Sequence, residues 1–189
     1  WIRSDVEPVI TKIELSSEWQ GLDLSGDDNY AIWIGHSTFL IKKNGVTILT
    51  DPIFSDRASP LRNIGPKRLI PPAIPLGELP NIDIVTVSHN HYDHLDISSL
   101  KKIADNHPEA IFLVPAGDEN LLKRKKIKNV YEFDWWKSIE HKGFEITFTP
   151  VQHWSKRSLF DRNKSLWGGW FFKHKDYSLY HAGDTGYSK

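Results

Sequence analysis

Ser88-His89-Asn90-His91-Tyr92-Asp93-His94-Leu95-Asp96 packs three histidines and two aspartates into nine residues, directly after the apolar run IDIVTV. His89 and His91 are two apart, so on extended backbone both imidazoles leave the same face. Imidazole nitrogen and carboxylate oxygen are common ligands of zinc, iron and manganese. The chain has no cysteine, so any metal must be held by nitrogen and oxygen, and no disulfide supports the fold. Ser88 lacks the Gly-x-Ser-x-Gly setting of a serine nucleophile. A polar loop with chance histidines is the bland alternative. Three histidines within six positions, interleaved with aspartate, weigh against it. Asp96, just before Ile97-Ser98-Ser99-Leu100, reads instead as a helix N-cap.

Two later positions could complete such a site. His153 in TPVQHWS follows the strand-like FEITFTP, and Asp184 in HAGDTG follows YSLYH. If the strands ahead of these residues point the same way, their loops converge. Spacing alone equally allows a hydrogen-bonded core histidine at 153. It also allows a turn former at Asp184, between Gly183 and Gly186.

The elements that must position these residues follow from pattern. YAIWIG, TFLIKK and VTILTD read as strands, and Asn44-Gly45 between the last two is a strong hairpin signal. Residues 55–81 hold six prolines and read as a long ordered connection, because proline fits neither a helix interior nor a central strand. Its apolar members Leu61, Ile64, Leu69, Ile70, Ile74 and Leu76 either tuck onto the body or form a binding surface. IDIVTV is a buried strand, SSLKKIADNHPEA a helix closed by Pro108, and AIFLVP the next strand. GDENLLKRKKIK reads as a short helix whose Lys123, Arg124, Lys125, Lys126 and Lys128 form a solvent face. NVYEF, FEITFTPVQH, WGGWFF and YSLYHAG supply further strands, and residues 9–20 suit a short irregular helix. A meander followed by strand–helix alternation predicts a mixed α/β sandwich with sheets inside and helices outside.

With 189 residues, 39% hydrophobic, and a net charge of zero, the chain suits one domain and argues against a nucleic-acid partner. No apolar run reaches membrane-spanning length. No signal-peptide pattern is read in the sequence, a start at Trp1 without an initiator Met is compatible with a processed or trimmed leader, and both ends read as cut. The expected location is the cytoplasm, with contact to a membrane surface as an addition.

SHNHYDH resembles the HxHxDH signature of the metallo-β-lactamase superfamily, whose fold is a four-layered αββα sandwich. WIGHSTFLI, LTDPIFSDRASP, GPKRL, VSHNHYDHLD, QHWSKRSLFDRNKSLWGGW and HAGDTGYS extend the likeness, from about Tyr30 onward. Together they resemble the phospholipase D group that hydrolyses N-acylphosphatidylethanolamine, with its bacterial relatives. The resemblance implies a zinc-dependent phosphodiesterase in which His89, His91 and His153 hold one ion. Asp93 and His94 would hold a second, and Asp184 would bridge the two. Iron and manganese suit the same donors. A hydroxide made available between the ions would attack a phospholipid phosphodiester, and Asp93 would orient it. The resemblance also places a further histidine ligand downstream of AGDTGY, where this chain ends at Lys189. The expectation is therefore an incomplete domain over residues 1–189 that holds one ion and turns over slowly or not at all. His36 and Asp51 are expected to support the ligands through hydrogen bonds. Simpler roles for them are a turn with Ser37 and an Asx turn. Trp154, Trp167, Trp170 and Phe171 crowd around His153 and are expected to meet an acyl chain or bilayer, with Lys156 and Arg157 facing anionic headgroups. Competing readings are a metallo-hydrolase or lactonase for a small soluble phosphorylated substrate, and a non-catalytic metal-binding or lipid-associated protein.

Overall fold

The hairpin predicted at Asn44-Gly45 forms as expected. Both residues take positive φ, 51° and 75°, the conformation that a two-residue turn between twisted strands requires. In the computed structural model, which describes residues 18–187 other than Arg62, this turn joins β2 (Thr38–Lys43) to β3 (Val46–Thr50). β1 (Tyr30–Gly35) completes the antiparallel meander. Most of the helix expected over residues 9–20 lies outside the described residues; Glu18–Gly21 form a 3-10 turn.

Beyond the meander the sheet turns parallel. β4 (Ile84–Thr86), β5 (Ile111–Pro115) and β6 (Val130–Phe133) follow β3 in that order. Every residue of β3, β4 and β5 is buried, as parallel strands covered on both faces require. The crossovers are α1 (Ile97–Asn106) and α2 (Glu119–Lys123). Asp96 caps α1 by accepting from Ser98 N at 3.0 Å, and its Oδ2 also accepts from Ser55 N at 3.0 Å. One carboxylate thus ends the histidine-rich loop, starts a helix and ties down the Pro-rich segment. The basic run after α2 is exposed, as expected, while Leu122 turns inward.

A second sheet, wholly antiparallel, runs in the order β10 (Tyr177–His181), β9 (Gly169–His174), β8 (Phe144–Thr149), β7 (Ser138–His141). The sequence pattern does not announce β7, which has no fully buried residue and whose one aliphatic residue is Ile139. Ile48, Ile84 and Leu113 of the first sheet pack on Phe144, Phe148, Trp170 and Phe172 of the second. Full burial of each such side chain contributes about 1.5–3 kcal/mol before conformational entropy is deducted. A separate cluster, with Leu40, Val85, Leu100 and Ile103, fills the space under α1. The architecture is the mixed α/β arrangement of two sheets and few helices expected of a metallo-β-lactamase-like sandwich. No helix among the described residues is long and apolar enough to cross a membrane.

One expectation needs correction. Trp170 is fully buried between the sheets, 4.7 Å from the Phe148 ring, and its Nε1 donates to Val87 O at 2.9 Å. It is a core residue and meets no lipid. The Pro-rich segment divides: Ile74 is buried, whereas Leu61, Ile64 and Leu69 stand exposed.

Candidate metal centre

Five chain segments meet at one end of the two sheets. β8 and β10 each pair antiparallel with β9, so they run in the same direction and deliver His153 and Asp184 to the same end. The loop after β4 brings His89 through His94, and the ends of β1 and β3 bring His36 and Asp51. Residues up to 130 positions apart therefore touch.

His89, His91 and His153 form one group. His89 Nε2 lies 2.9 Å from His91 Nδ1 and 3.1 Å from His153 Nε2, which is 3.2 Å from His91 Nδ1. Their protonation can be worked out from the outer side. Ser88 Oγ is 2.7 Å from Asp51 Oδ2, an acceptor only, so the hydroxyl donates there and accepts from His89 Nδ1 at 2.9 Å. His89 therefore turns a bare Nε2 toward its two partners. Burial, then the charge at His94, pushes the His89 pKa down to about 3. Burial likewise lowers His91 and His153, so all three rings are neutral near pH 7. Three neutral imidazoles with nitrogens this close have too few protons to satisfy one another. Tetrahedral ligation at about 2.0–2.1 Å spaces nitrogens roughly 3.3 Å apart, close to this triangle.

His94 anchors the second group. Its Nδ1 donates to Asp51 Oδ2 at 2.8 Å, leaving Nε2 buried without a hydrogen bond, 3.2 Å from Asp184 Oδ1. Burial works against a charge here, but the carboxylates of Asp184 and Asp51 outweigh it and raise the pKa to about 10. The arrangement calls for positive charge between His94 Nε2 and Asp184, as a proton or a metal cation. Asp184 also lies 3.7 Å from His153 Nε2, so its carboxylate stands between the two groups. His36 Nε2 lies 3.2 Å from Asp93 Oδ2, and its hydrogen bond holds the Asp93 pKa well below the usual carboxylate range. Ligand-type atoms of His36, Asp93 and His94 lie within 4.8 Å of one another, as do those of His89, His94 and Asp184. Neutral imidazoles, ionised carboxylates and the orphaned buried Nε2 of His94 fit one or two divalent cations.

Asp51 is more than a turn former. Fully buried, it accepts from Ser88 N at 2.6 Å, Ser88 Oγ, His94 Nδ1, and His181 Nε2 at 3.1 Å. Burial favours its neutral form, but the charge and hydrogen bond of His181, then those of His94, outweigh this and hold it ionised. His181 and Ser88 in this role were not anticipated. One signal existed for the first: His181 shares a strand face with Tyr177 and Leu179, which pack on the inter-sheet core.

Of the aromatic candidates, Trp154 sits with its ring 4.4 Å from that of His91 and remains partly exposed. Trp167 donates to Val151 O at 3.1 Å and packs against Trp135, and Phe171 lies half-buried on β9. Arg157 turns inward, contrary to expectation. Its Nη1 donates to Asn90 O at 3.0 Å and Leu95 O at 2.8 Å, and its guanidinium stacks 4.2 Å from the Tyr92 ring. It staples the histidine-rich loop from beneath.

Two substitutions probe this support. Gly183 has φ of +62°, and a Cβ there would stand 2.5 Å from Ser88 Cβ. Gly183→Ala is expected to displace Ser88, at a cost of about 1–3 kcal/mol, and to weaken metal binding about 10-fold or more. Thermal melts and metal titration check both. Below the loop, Asp118 accepts from Ser165 Oγ at 2.8 Å and Asn90 Nδ2 at 3.2 Å, and burial pushes its pKa up to about 6 from 3.8. Between those pH values the unfolded chain binds fewer protons than the folded one, so stability falls as pH rises through the window. Asp118→Asn is expected to add about 2–3 kcal/mol at pH 7.5 and almost nothing at pH 4. Urea unfolding at the two pH values measures it.

These features belong with a known class. Residues 46–189 match the family model described as beta-lactamase superfamily domain, and the chain belongs to that family. Among curated proteins it is similar to N-acyl-phosphatidylethanolamine-hydrolyzing phospholipase D 1 of Caenorhabditis elegans. The two are 39% identical over 167 residues, covering 84% of this chain and 47% of that protein. It is also similar to the mitochondrial protein of that activity name from Saccharomyces cerevisiae, at 41% over 165 residues, covering 85% and 35%. The chain thus spans less than half the length of these relatives. Solved structures sharing the fold include CmlA, a diiron beta-hydroxylase from Streptomyces venezuelae. There the identity is 22% and the TM-score 0.63, with 85% of this chain and 30% of that one covered. Another is the metallo hydrolase Igni18 from Ignicoccus hospitalis, at 24% identity and TM-score 0.59, covering 84% and 61%.

Proposed function

We propose that the chain carries the metal centre of a hydrolase that cleaves phosphodiesters, of phospholipase D type, acting on N-acylphosphatidylethanolamine-like lipids. The observation carrying this reading is the convergence of bare imidazole nitrogens and carboxylates from three separate loops. His89, His91 and His153 would hold one ion, Asp93 and His94 a second, and Asp184 would reach both. Divalent ions in such a site supply Lewis-acid polarisation of a phosphoryl oxygen and a nucleophilic hydroxide near neutral pH. The chain's own residues set the rest. Asp51 fixes the His94 tautomer so that Nε2 faces the centre. Asp93, held ionised by His36, would accept a hydrogen bond from the attacking nucleophile and so aim it. Trp154 shields His91 from water.

The lipid reading is supported by similarity to the worm and yeast proteins, whose names state that activity. The exposed Leu159 and Phe160, beside Lys156, would supply a membrane contact in place of the buried Trp170. The test is metal analysis of the purified protein, then hydrolysis assays with zinc, iron or manganese on N-acylphosphatidylethanolamine vesicles and on bis(4-nitrophenyl) phosphate. Phosphatidate release supports the full proposal. Cleavage of the soluble diester alone would replace the lipid with a soluble substrate. A protein that binds no divalent metal would overturn the reading.

A further inference from the structure

Beside His36 and Asp93 opens a cavity of about 610 Å³, its wall mainly apolar, with Trp33, Ile53, Leu69, Ile70 and Tyr92 along it. Two full cations line it, Lys67 and Arg68; Lys67 is exposed, whereas Arg68 is half-buried in the wall. Its main chain is fixed by a hydrogen bond from N to Asp56 O at 2.7 Å, and its Nη2 donates to Ile53 O at 2.5 Å. Its Nε is buried without a partner, and no ion pair within 4.0 Å holds it among the described residues. Gly35, at φ +137°, leaves the space the guanidinium uses, since a Cβ there would lie 3.0 Å from Nη1.

A half-buried guanidinium bonded to one carbonyl, with Asp56 and Asp96 acting on it only from beyond ion-pair distance, is incompletely compensated, because burial disfavours charge unless it is paired. Its planar fork of donors matches a phosphate or carboxylate better than it matches a lone carbonyl oxygen. A purely structural tether to Ile53 O needs one donor and no charge. The surrounding wall offers mainly apolar contact, with Asp56 and Asp93 as its carboxylates.

We propose that this cavity takes an amphiphile with an anionic headgroup, Arg68 holding an anionic oxygen while Ile53, Leu69, Ile70 and Trp33 hold the chain. The inference deepens the hydrolase reading and rests on it for the ligand's identity as substrate or product; binding itself can be tested separately.

The experiment is calorimetric titration of the purified protein with dodecyl phosphate and with dodecyl maltoside, each below its micelle concentration. Wild type is expected to bind the phosphate at least about tenfold more tightly. Arg68→Gln should remove that preference and change maltoside binding by less than about twofold, and Arg68→Lys should keep part of it. Leu69→Ser, at an exposed position that threatens no core, should weaken both ligands alike. Repeating the titrations after chelation separates an anion on Arg68 from one on metal: the Arg68 dependence should survive. Unchanged phosphate affinity in Arg68→Gln, or a preference that vanishes on chelation, would overturn the proposal. Binding by a protein that holds no divalent metal would sink the hydrolase reading and leave the anchor standing.

Discussion

Asp51→Ala is expected to destabilise the protein by about 3–5 kcal/mol, the cost of removing one partner from a buried ionic hub. Ser88 N, Ser88 Oγ, His94 Nδ1 and His181 Nε2 would all lose their acceptor in a place water does not reach. Asp51→Asn separates stability from function. The amide keeps the shape and an oxygen for Ser88 N, so the stability loss should be smaller. Its NH₂, however, faces His94 and favours the tautomer with the proton on Nε2, where a ligand needs a lone pair. Metal affinity should fall by about 10–100-fold or more. Urea unfolding and metal titration on both variants check the split. A pH series on chelated protein adds a sign test. Asp51, with its pKa depressed, contributes stability that is present above about 3.8 and lost as pH falls below it. His94, raised to about 10, contributes stability that is present below 6.5 and lost as pH rises toward 10. The pair should therefore stabilise most between about pH 4 and 6.5. Stability should then fall toward alkaline pH in wild type, and much less in Asp51→Asn.

The hub shows what the sequence could and could not announce. His89, His91, Asp93 and His94 were legible because they are dense, local and follow a buried strand. His153 and Asp184 were legible as strand-end residues, and they meet because β8 and β10 run parallel across the intervening β9. The meander, the crossover helices and the Asn44-Gly45 turn were equally local. What pattern could not show was contact through the sandwich. Ser88 and His181 acquire their roles only when the two sheets pack, and Trp170 looked like a surface aromatic until Phe133 and Phe148 closed around it. Arg157 misled for the same reason: its charge suggested solvent or lipid, yet two carbonyls and the Tyr92 ring satisfy it inside.

The other large effect falls at Asp184. Its carboxylate lies 3.2 Å from His94 Nε2 and 3.7 Å from His153 Nε2, so it brings negative charge to both ligand groups. Removing it takes negative charge from both. His89→Ala removes one nitrogen from a cluster that keeps His91, His153 and Asp184. Asp184→Ala instead leaves His94 Nε2 with Asp93 at 4.0 Å as the nearest carboxylate. The His94 group should then fail to hold an ion, while the three-histidine group, still preorganised through Ser88, keeps a weakened one. The expected result is loss of whatever ion the His94 group holds in the parent chain, a fall in affinity above the 10–100-fold typical of supporting residues, and loss of any phosphodiester cleavage the parent shows. Because Asp184 is about half exposed, its removal should cost less than about 1 kcal/mol of stability in chelated protein, unlike Asp51→Ala. Metal analysis by mass spectrometry, competition with a chromophoric chelator and urea unfolding distinguish the two. Full metal occupancy in Asp184→Ala would mean that the carboxylate does not reach the ions and that His94 binds through other partners.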